Sequence, residues 1–295
     1  MQNLNTPVFR GHLARLCLLL LLGLLAGCSA LRFGYANGDT FLYWWLDGYV
    51  DFTDAQKPWV KRDIDQLLAW HRKTQLPDYA RLLAGVQQKL ASQASADEVL
   101  AEYAQIRKRA DVAIERALPH LTELALSLEP EQIAHLERKF ASNNDSYRKE
   151  YLRGSVEDRQ RLRFKKVMKQ AEYWFGNFSD EQEARIRAAS DARPLDNEIW
   201  LAERQRRQQE MLKMLKKLRA EQPSREAAQA MLRDYAQASF DNFTYAEHRQ
   251  FFDGTRQGMA EMIATIINIA TPQQREHASQ RLQKWIDDSR ALAAR

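Results

Sequence analysis

The fold class of this chain follows mainly from residues 99–128, which read VLAEYAQIRKRADVAIERALPHLTELALSL. Apolar side chains recur in it at spacings of three and four, which places them on one face of an α-helix. At 1.5 Å per residue this stripe is about 45 Å long, although we expect Pro119 to kink the helix or divide it in two. The stripe consists of Val99, Tyr103, Ile106, Ala110, Ala113, Ala117, Leu121, Leu124 and Leu128.

The residue pattern of almost every other segment after residue 53 also predicts helix, and no strand pattern of comparable length occurs. Glycine and proline are scarce, at 11 and 8 in the chain, and they fall in short gaps as expected of helix ends. We therefore predict an all-α, elongated multi-helix bundle. The other predicted helices span residues 55–73, 78–92, 131–152, 156–175, 181–192, 196–221, 225–239, 245–269 and 272–293. The expected end markers are Pro77, Pro130, Gly154, Gly176, Pro194, Pro223 and Pro272.

One short element occurs four times and predicts helix starts. In three copies, Thr or Ser is followed three residues later by Gln, which is the spacing of a capping box. Pro58 fits the first copy poorly, because it lies two residues beyond Gln56, so the first helix is expected to begin later than the motif suggests. The spacings of 76, 50 and 92 residues between copies exclude a strict solenoid period. The copies are FTDAQ at 52–56, LEPEQ at 128–132, FSDEQ at 178–182 and ATPQQ at 270–274.

The N-terminus has the pattern of a signal peptide. Arg10 and Arg15 precede an apolar run at residues 16–26 with eight leucines, about half the length of a membrane span. Leu-Ala-Gly-Cys at 25–28 matches the lipobox of lipoprotein signal peptides. The resemblance implies cleavage before Cys28, a diacylglyceryl thioether on Cys28 and an acylated amine. Several acyl chains make attachment effectively permanent. The alternative is a short buried helix.

Composition constrains the mature chain and its surroundings. Ser29 stands where an aspartate would signal inner-membrane retention, so we expect an outer-membrane location facing the periplasm. Cys17 is lost with the leader, which leaves no disulfide. Removal of Arg10 and Arg15 leaves 42 basic against 39 acidic residues. This weak net charge and the periplasmic location argue against nucleic acid as a partner.

We predict four regions along the chain. Residues 1–27 form the signal peptide, and 28–52 form a lipidated, aromatic-rich tether. Residues 53–193 and 194–295 form two helical regions, the second packed on the first, with a single domain as the alternative. We place the internal break around Arg193 and Pro194.

Two basic runs and one aromatic segment are candidate contact surfaces. Residues 148–169 hold nine basic side chains against three acidic ones, and residues 203–219 hold seven against two. Solvated helix faces are the simpler interpretation, and a surface for anionic lipid or an acidic partner is the alternative. Residues 33–52 hold eight aromatic side chains. These either pack in the core or contact a membrane or a client protein.

Catalytic patterns are missing from the sequence. The six histidines, at positions 12, 71, 120, 135, 248 and 277, include no pair with the spacing of a helical zinc site. No nucleophile elbow or phosphate-binding glycine loop occurs, and adjacent acids such as Asp287 and Asp288 diverge on a helix. We expect no enzyme activity, no cofactor and no metal. A catalytic pair of carboxylates, assembled from distant helices, is kept as an alternative.

Two resemblances attach to these residues. The patterns LRFGY at 31–35, WWLDGYVDFT at 44–53, Leu128 to His135 and WLAER at 200–204 look like a family of uncharacterised proteobacterial lipoproteins. That family implies no established activity. The repeated [Leu/Phe]-[Thr/Ser]-x-x-Gln element is similar to the motif of the Spy and CpxP group of all-helical periplasmic stress chaperones. Glu129 and Ala270 depart from that motif, and this chain is longer and lipidated.

These observations predict a non-enzymatic binding or chaperone-like envelope factor. The alternatives are a structural scaffold and an envelope enzyme or enzyme accessory. Expected partners are the membrane, through lipid on Cys28, and a protein client or anionic envelope lipid. The candidate binding residues are Trp44, Trp45, Tyr49, Arg206, Lys213 and Lys217.

Overall fold

A computed structural model of the 295-residue chain describes residues 30–241 and 246–294. The predicted signal peptide and Cys28 lie outside these residues. Every regular element in the described ranges is helical. The helices are α1 (Ala30–Ala36), α2 (Gly38–Val50), α3 (Lys57–Trp70), a π-helical turn (His71–Gln75), α4 (Leu76–Lys89), α5 (Ala96–Ser127), α6 (Pro130–Tyr151), α7 (Val156–Phe175), α8 (Asp180–Asp191), α9 (Asn197–Glu221), α10 (Arg225–Asp241), α11 (Ala246–Ile269) and α12 (Pro272–Ala293).

The predicted all-α, elongated helical bundle is confirmed. Local signals also gave several helix boundaries correctly. Helix α7 begins after Ser155, whose side chain accepts a hydrogen bond from the Asp158 N–H and caps the first turn. The first long helix begins at Lys57, after Gln56. The predicted late start of this helix is therefore confirmed.

The structure shows neither the division of a helix at Pro119 nor the helix end expected at Pro77. Helix α5 continues through Pro119, which is flanked by the buried Leu118 and Thr122. Tertiary packing of these neighbours offsets the loss of one backbone hydrogen bond. Pro77 lies in an unbroken run from α3 to α4, as the second residue after the π-helical turn. There the Leu76 N–H bonds to the carbonyl of His71, five residues back, so the helix passes the proline in a wider turn.

The buried face of α5 differs from the predicted stripe. Leu118, Thr122 and Ala125 form its most buried line, whereas Tyr103 and Ile106 are exposed. Leu118 stands about 100° further round the helix than Ala117, a predicted stripe residue. The prediction was wrong at Tyr103 and Ile106 but right at Leu124 and Leu128, which pack in the core. The buried line itself was missed because Thr and Ala carry a weak apolar signal. Neighbouring helices, which the sequence does not specify, decide which face is covered.

The bundle contains two apolar cores. Core one joins α2, α3, α6, α9, α10 and the C-terminal end of α5. Helix α9 packs directly on α6, and α2 packs on α3 and α6. Its buried residues are Tyr43, Val50, Phe52, Val60, Ile64, Ala125, Leu128, Ile133, Leu136, Leu212, Leu215, Leu218 and Ala228.

Core two joins the C-terminal end of α4 with α7, α8, α11 and α12. Helix α12 lies along α4, and α11 packs on α8 and α5. Its buried residues are Leu90, Phe164, Met168, Ala171, Phe175, Ile186, Met262, Ile266, Ala270, Ala278 and Leu282.

Long helical segments connect the two cores. The continuous run from α3 to α4 contributes Val60 to core one and Leu90 to core two. Asn268 of α11 fixes the turn before α5, because its side chain donates to the Ala94 carbonyl and accepts from the Ala94 N–H, both at 2.8 Å. Both cores take residues from each side of residue 194, and the predicted division there stays a prediction.

The four repeated elements meet in two pairs, one in each core. The side-chain amides of Gln56 and Gln132 exchange hydrogen bonds of 3.2 and 2.7 Å in core one. Those of Gln182 and Gln274 exchange hydrogen bonds of 2.8 and 3.1 Å in core two. Each glutamine also accepts from the backbone N–H three residues before it, as the predicted caps require. The elements are therefore both helix caps and contacts between helices.

Candidate binding surface

The aromatic segment folds into two helices that are attached to core one. Helix α2 ends at Asp51, which adopts a left-handed conformation with φ of 58°. The carboxylate of Asp47 accepts a hydrogen bond of 2.8 Å from the Phe52 N–H and holds the chain as it leaves the helix. Tyr43, Val50 and Phe52 are buried in core one. One side of the segment is therefore fixed to the body of the protein.

The other side of the segment presents four exposed aromatic rings, which we call the aromatic face. The side chains of Phe33, Phe41, Trp44 and Trp45 are 57, 53, 65 and 59% exposed. Positions 41, 44 and 45 have the spacing that places them on one face of α2. The ring centroids of Phe33 and Phe41 lie 6.0 Å apart, which joins α1 to this face. The segment thus supplies both core packing and an exposed apolar surface.

Tyr49 lies at the boundary between the aromatic face and the core. Its ring is 5.1 Å from that of Trp45 and 6.3 Å from that of Phe140 in α6. Its hydroxyl accepts a hydrogen bond of 2.8 Å from the Asn143 side chain. Lys139 Nζ lies 5.7 Å from the ring centroid. Of the predicted binding residues, Trp44, Trp45 and Tyr49 are therefore brought together.

Charged residues of both signs occur on helix α2 and beside it. Lys61 Nζ lies 4.6 Å from the ring centroid of Tyr43, on the side that faces core one. Lys57 pairs with Asp54 at 2.7 Å. Helix α2 itself carries Asp39 and Asp47 without a basic residue. The surface is therefore apolar with mixed charge, rather than basic.

The predicted basic binding residues lie on α9, and their environments differ. Arg206 is 11% exposed, and its guanidinium contacts the carboxylates of Glu203 at 2.7 Å and Glu210 at 2.6 Å. Lys217 lies 3.9 Å from Glu221, whereas Lys213 is exposed and forms no ion pair with a described residue. Arg206 therefore stabilises its own helix, and Lys213 is the more accessible cation.

Glu203 is the buried carboxylate to which two arginines of α9 bind. Its side chain is 4% exposed, and it also accepts from Arg207 at 2.7 Å. Burial alone would raise the pKa of Glu203, but hydrogen bonds from Arg206 and Arg207 outweigh burial and hold this pKa below its usual value. The carboxylate consequently stays charged at neutral pH and keeps both arginines beside it.

Other ion pairs take up much of the two basic runs. In the second run, Lys216 pairs with Glu137 of α6 at 3.2 Å, and Arg219 pairs with Glu129 at 2.6 Å. In the first run, several basic side chains pair with acids in the same way. Those pairs are Arg148 with Asp145, Arg159 with Glu198, Arg161 with Asp158 and Lys166 with Glu150.

A tyrosine–histidine cluster beside the π-helical turn had no sequence signal. The Tyr35 hydroxyl lies 2.5 Å from His71 Nδ1, and the Tyr79 hydroxyl lies 3.2 Å from His71 Nε2. Burial raises the pKa of Tyr35 to about 12 and lowers the pKa of His71 below its ordinary value. The cluster joins α1 to α4 and the π-helical turn, and its partners are 36 and 8 residues apart in the chain.

The remaining titratable groups are dispersed. Asp63 is buried, and its Oδ2 lies 3.0 Å from His120 Nδ1, a contact that ties α3 to α5. Within residues 30–241 and 246–294, no group of three or more His, Cys, Asp or Glu side chains is arranged to hold a metal ion. In the same part of the chain, no helix has both the length and the apolar character needed to cross a membrane.

The fold and surface together define a class of protein: an all-α, two-core helical bundle with an exposed aromatic face near its N-terminus. The chain belongs to a family of unknown function, DUF6279, whose model matches residues 48–238. No curated protein and no solved structure matches the chain. The family match covers α3 to α9 entirely and begins within α2, so it includes Tyr49 but not Trp44 or Trp45.

Proposed function

We propose that this chain is a lipoprotein of the outer membrane that faces the periplasm and acts by binding rather than by catalysis. Lipid on Cys28 attaches it to the membrane, and the aromatic face makes the apolar contact. The observation that carries the proposal is the exposure of Phe33, Phe41, Trp44 and Trp45 directly after the lipobox. Contiguous apolar surface of this kind marks interaction sites on soluble domains.

The anchor is tested by changing its single acceptor. In the Cys28→Ser variant, we expect labelling by a fatty-acid probe to be abolished and unprocessed precursor to accumulate. The matched control is Cys17→Ser, which removes the other cysteine but leaves the lipobox intact. Unchanged labelling of Cys28→Ser would remove the anchor from the proposal.

The binding activity is tested on protein without lipid. We expect the wild-type chain to suppress aggregation of an unfolded client or to bind phospholipid vesicles. Trp44→Ala combined with Trp45→Ala should weaken this activity at unchanged stability, since both side chains are exposed. Tyr103→Ala combined with Ile106→Ala removes exposed apolar area from α5 and serves as the control. Equal activity of wild type and the tryptophan variant would overturn a role for the aromatic face.

A structural scaffold is the second candidate, and the long helices favour it. The run from α3 to α4 passes from one core to the other, and α5 has 32 residues, which corresponds to about 48 Å. Such helices hold two surfaces at a fixed separation. Crosslinking in intact cells distinguishes the candidates. A scaffold should crosslink to two different partners, one on the surface around each core, whereas the binder should crosslink to one partner through the aromatic face.

A further inference from the structure

We infer that the aromatic face is seated in the headgroup region of the same phospholipid leaflet that holds the lipid on Cys28. The α1–α2 segment then fixes the orientation of the bundle on the membrane, instead of serving as a flexible tether. This inference rests on the proposed function, because it takes the anchor at Cys28 as given.

Chain length places the aromatic face at the leaflet. Only Ser29 stands between Cys28 and the start of α1 at Ala30. Two residue steps span at most about 7 Å, and Phe33 lies about 4.5 Å further along the helix. The polar region of each leaflet is about 5 to 8 Å deep. An acylated Cys28 therefore leaves the first ring of the aromatic face within reach of the headgroups.

Contacts with the body make this segment an orienting element. Helix α1 is tied to α12 by the ion pair between Arg32 and Asp288, and to the π-helical turn by the hydrogen bond between Tyr35 and His71. Helix α2 is tied to core one by Tyr43 and other buried side chains. A leaflet that holds α1 and α2 consequently holds the whole bundle at one angle.

Side-chain chemistry favours a bilayer interface over a purely electrostatic contact. Tryptophan combines a large apolar ring with one N–H donor, and it is enriched at the boundary between lipid and water. Trp44 and Trp45 are the most exposed of the large hydrophobic residues described, at 65 and 59%. Because nearby charges have both signs, binding should depend on apolar area and change little with salt.

The first experiment measures the depth of single spin labels on the full lipidated protein in zwitterionic phosphatidylcholine vesicles. The chain has two cysteines, Cys17 in the leader and Cys28 at the anchor, so an introduced cysteine is the only free thiol after processing. Trp45→Cys carries the test label, and Tyr103→Cys, which replaces a side chain of 48% exposure on α5, carries the control label.

We expect the label at position 45 to be shielded from a water-soluble nickel chelate and accessible to oxygen, at both low and high salt. The label at position 103 should stay accessible to the chelate. Equal chelate access at the two positions would overturn the inference while leaving the anchor intact. Broadening by a second label near position 45 would also overturn it, because the face would then be covered by a second copy of the chain.

The second experiment separates this inference from the proposed anchor. The mature chain with Cys28→Ala, expressed without its leader, is mixed with phosphatidylcholine vesicles. We expect Trp44→Ala combined with Trp45→Ala to lower its partitioning at least about tenfold, since burial of little more than about 50 Å² of apolar area is enough for that factor. The control is Tyr103→Ala combined with Ile106→Ala. If fatty-acid labelling fails but partitioning depends on Trp44 and Trp45, the proposed lipidation of Cys28 is overturned, and contact of the aromatic face with the headgroups is supported. Partitioning that does not depend on the two tryptophans would overturn contact of the aromatic face with the headgroups.

Discussion

Gln56 in core one is the structural counterpart of Gln182 in core two. Each side-chain amide nitrogen donates to the paired glutamine of a second helix and to the backbone carbonyl two residues before that helix's cap residue. For Gln56 the carbonyl belongs to Ser127, at 3.1 Å, and for Gln182 it belongs to Ile269, at 2.8 Å. The partners repeat the geometry, because Gln132 donates to Asp51 and Gln274 donates to Asn177.

This arrangement explains how a polar side chain is accommodated inside an apolar core. Gln56 and Gln132 are 4 and 6% exposed. Their carbonyl oxygens accept from the cap N–H as well as from the partner amide, and their amide nitrogens donate to the partner and to the backbone. Buried polar groups with their partners satisfied fix one relative position of two helices. Each pair therefore sets how two helix starts cross.

The first prediction concerns the glutamine pair. Gln56→Ala removes the hydrogen bonds between Gln56 and Gln132 and leaves the Thr53 N–H without its side-chain acceptor, so unfolding should require about 1 to 3 kcal/mol less free energy. Gln132→Ala should have a similar effect. Combining both should cost clearly less than the sum, because either change alone already removes the hydrogen bonds between the two side chains. Denaturant unfolding of the four proteins measures this coupling, and strict additivity would contradict it.

The second prediction concerns a cap. Ser179 accepts a hydrogen bond of 3.2 Å from the Gln182 N–H at the start of α8. Ser179→Ala should lower the free energy of unfolding by about 0.5 to 2 kcal/mol without preventing folding. Ser142→Ala, at an exposed position within α6, is the control and should have little effect. Loss of binding at unchanged stability would instead show that Ser179 has a functional role.

The third prediction separates the cations of α9. Arg206→Ala leaves the buried carboxylate of Glu203 with Arg207 as its remaining charged partner, so stability should fall by about 1 to 3 kcal/mol. Lys213→Ala is the matched control on the same helix and should change stability by less than about 0.5 kcal/mol. Thermal or denaturant unfolding measures both. Equal effects would show that the Glu203 cluster does not stabilise α9.

The fourth prediction concerns pH. Burial lowers the pKa of His71 in the folded protein, whereas the unfolded chain has a value near 6.5. As pH falls below about 6.5, the unfolded chain takes up a proton that the folded protein resists, so stability decreases. Above that pH both states are neutral at this side chain and its contribution is complete. His71→Gln should flatten the dependence of the unfolding free energy between about pH 7.5 and the folded-state pKa. An unchanged slope would contradict this cause.

The helical class and many helix starts could be predicted from the sequence, because these depend on local interactions. A capping box such as that of Ser179 is completed within four residues, and apolar spacing of three and four is repeated within one helix. Part of the aromatic face also had a local signal, since Phe41, Trp44 and Trp45 share one side of a single helix.

Which of these features meet and which stay exposed depends on how the helices pack in three dimensions. The capping glutamines are separated by 76 residues in one pair and by 92 in the other, and no local rule predicts that they exchange hydrogen bonds. Arg206 is a second example. The charge pattern of the sequence predicts an exposed cation, but in the structure Arg206 pairs with Glu203 and Glu210 and is only 11% exposed. Burial and pairing depend on which helices lie alongside, and that arrangement is set by the summed packing of the whole chain rather than by any one segment.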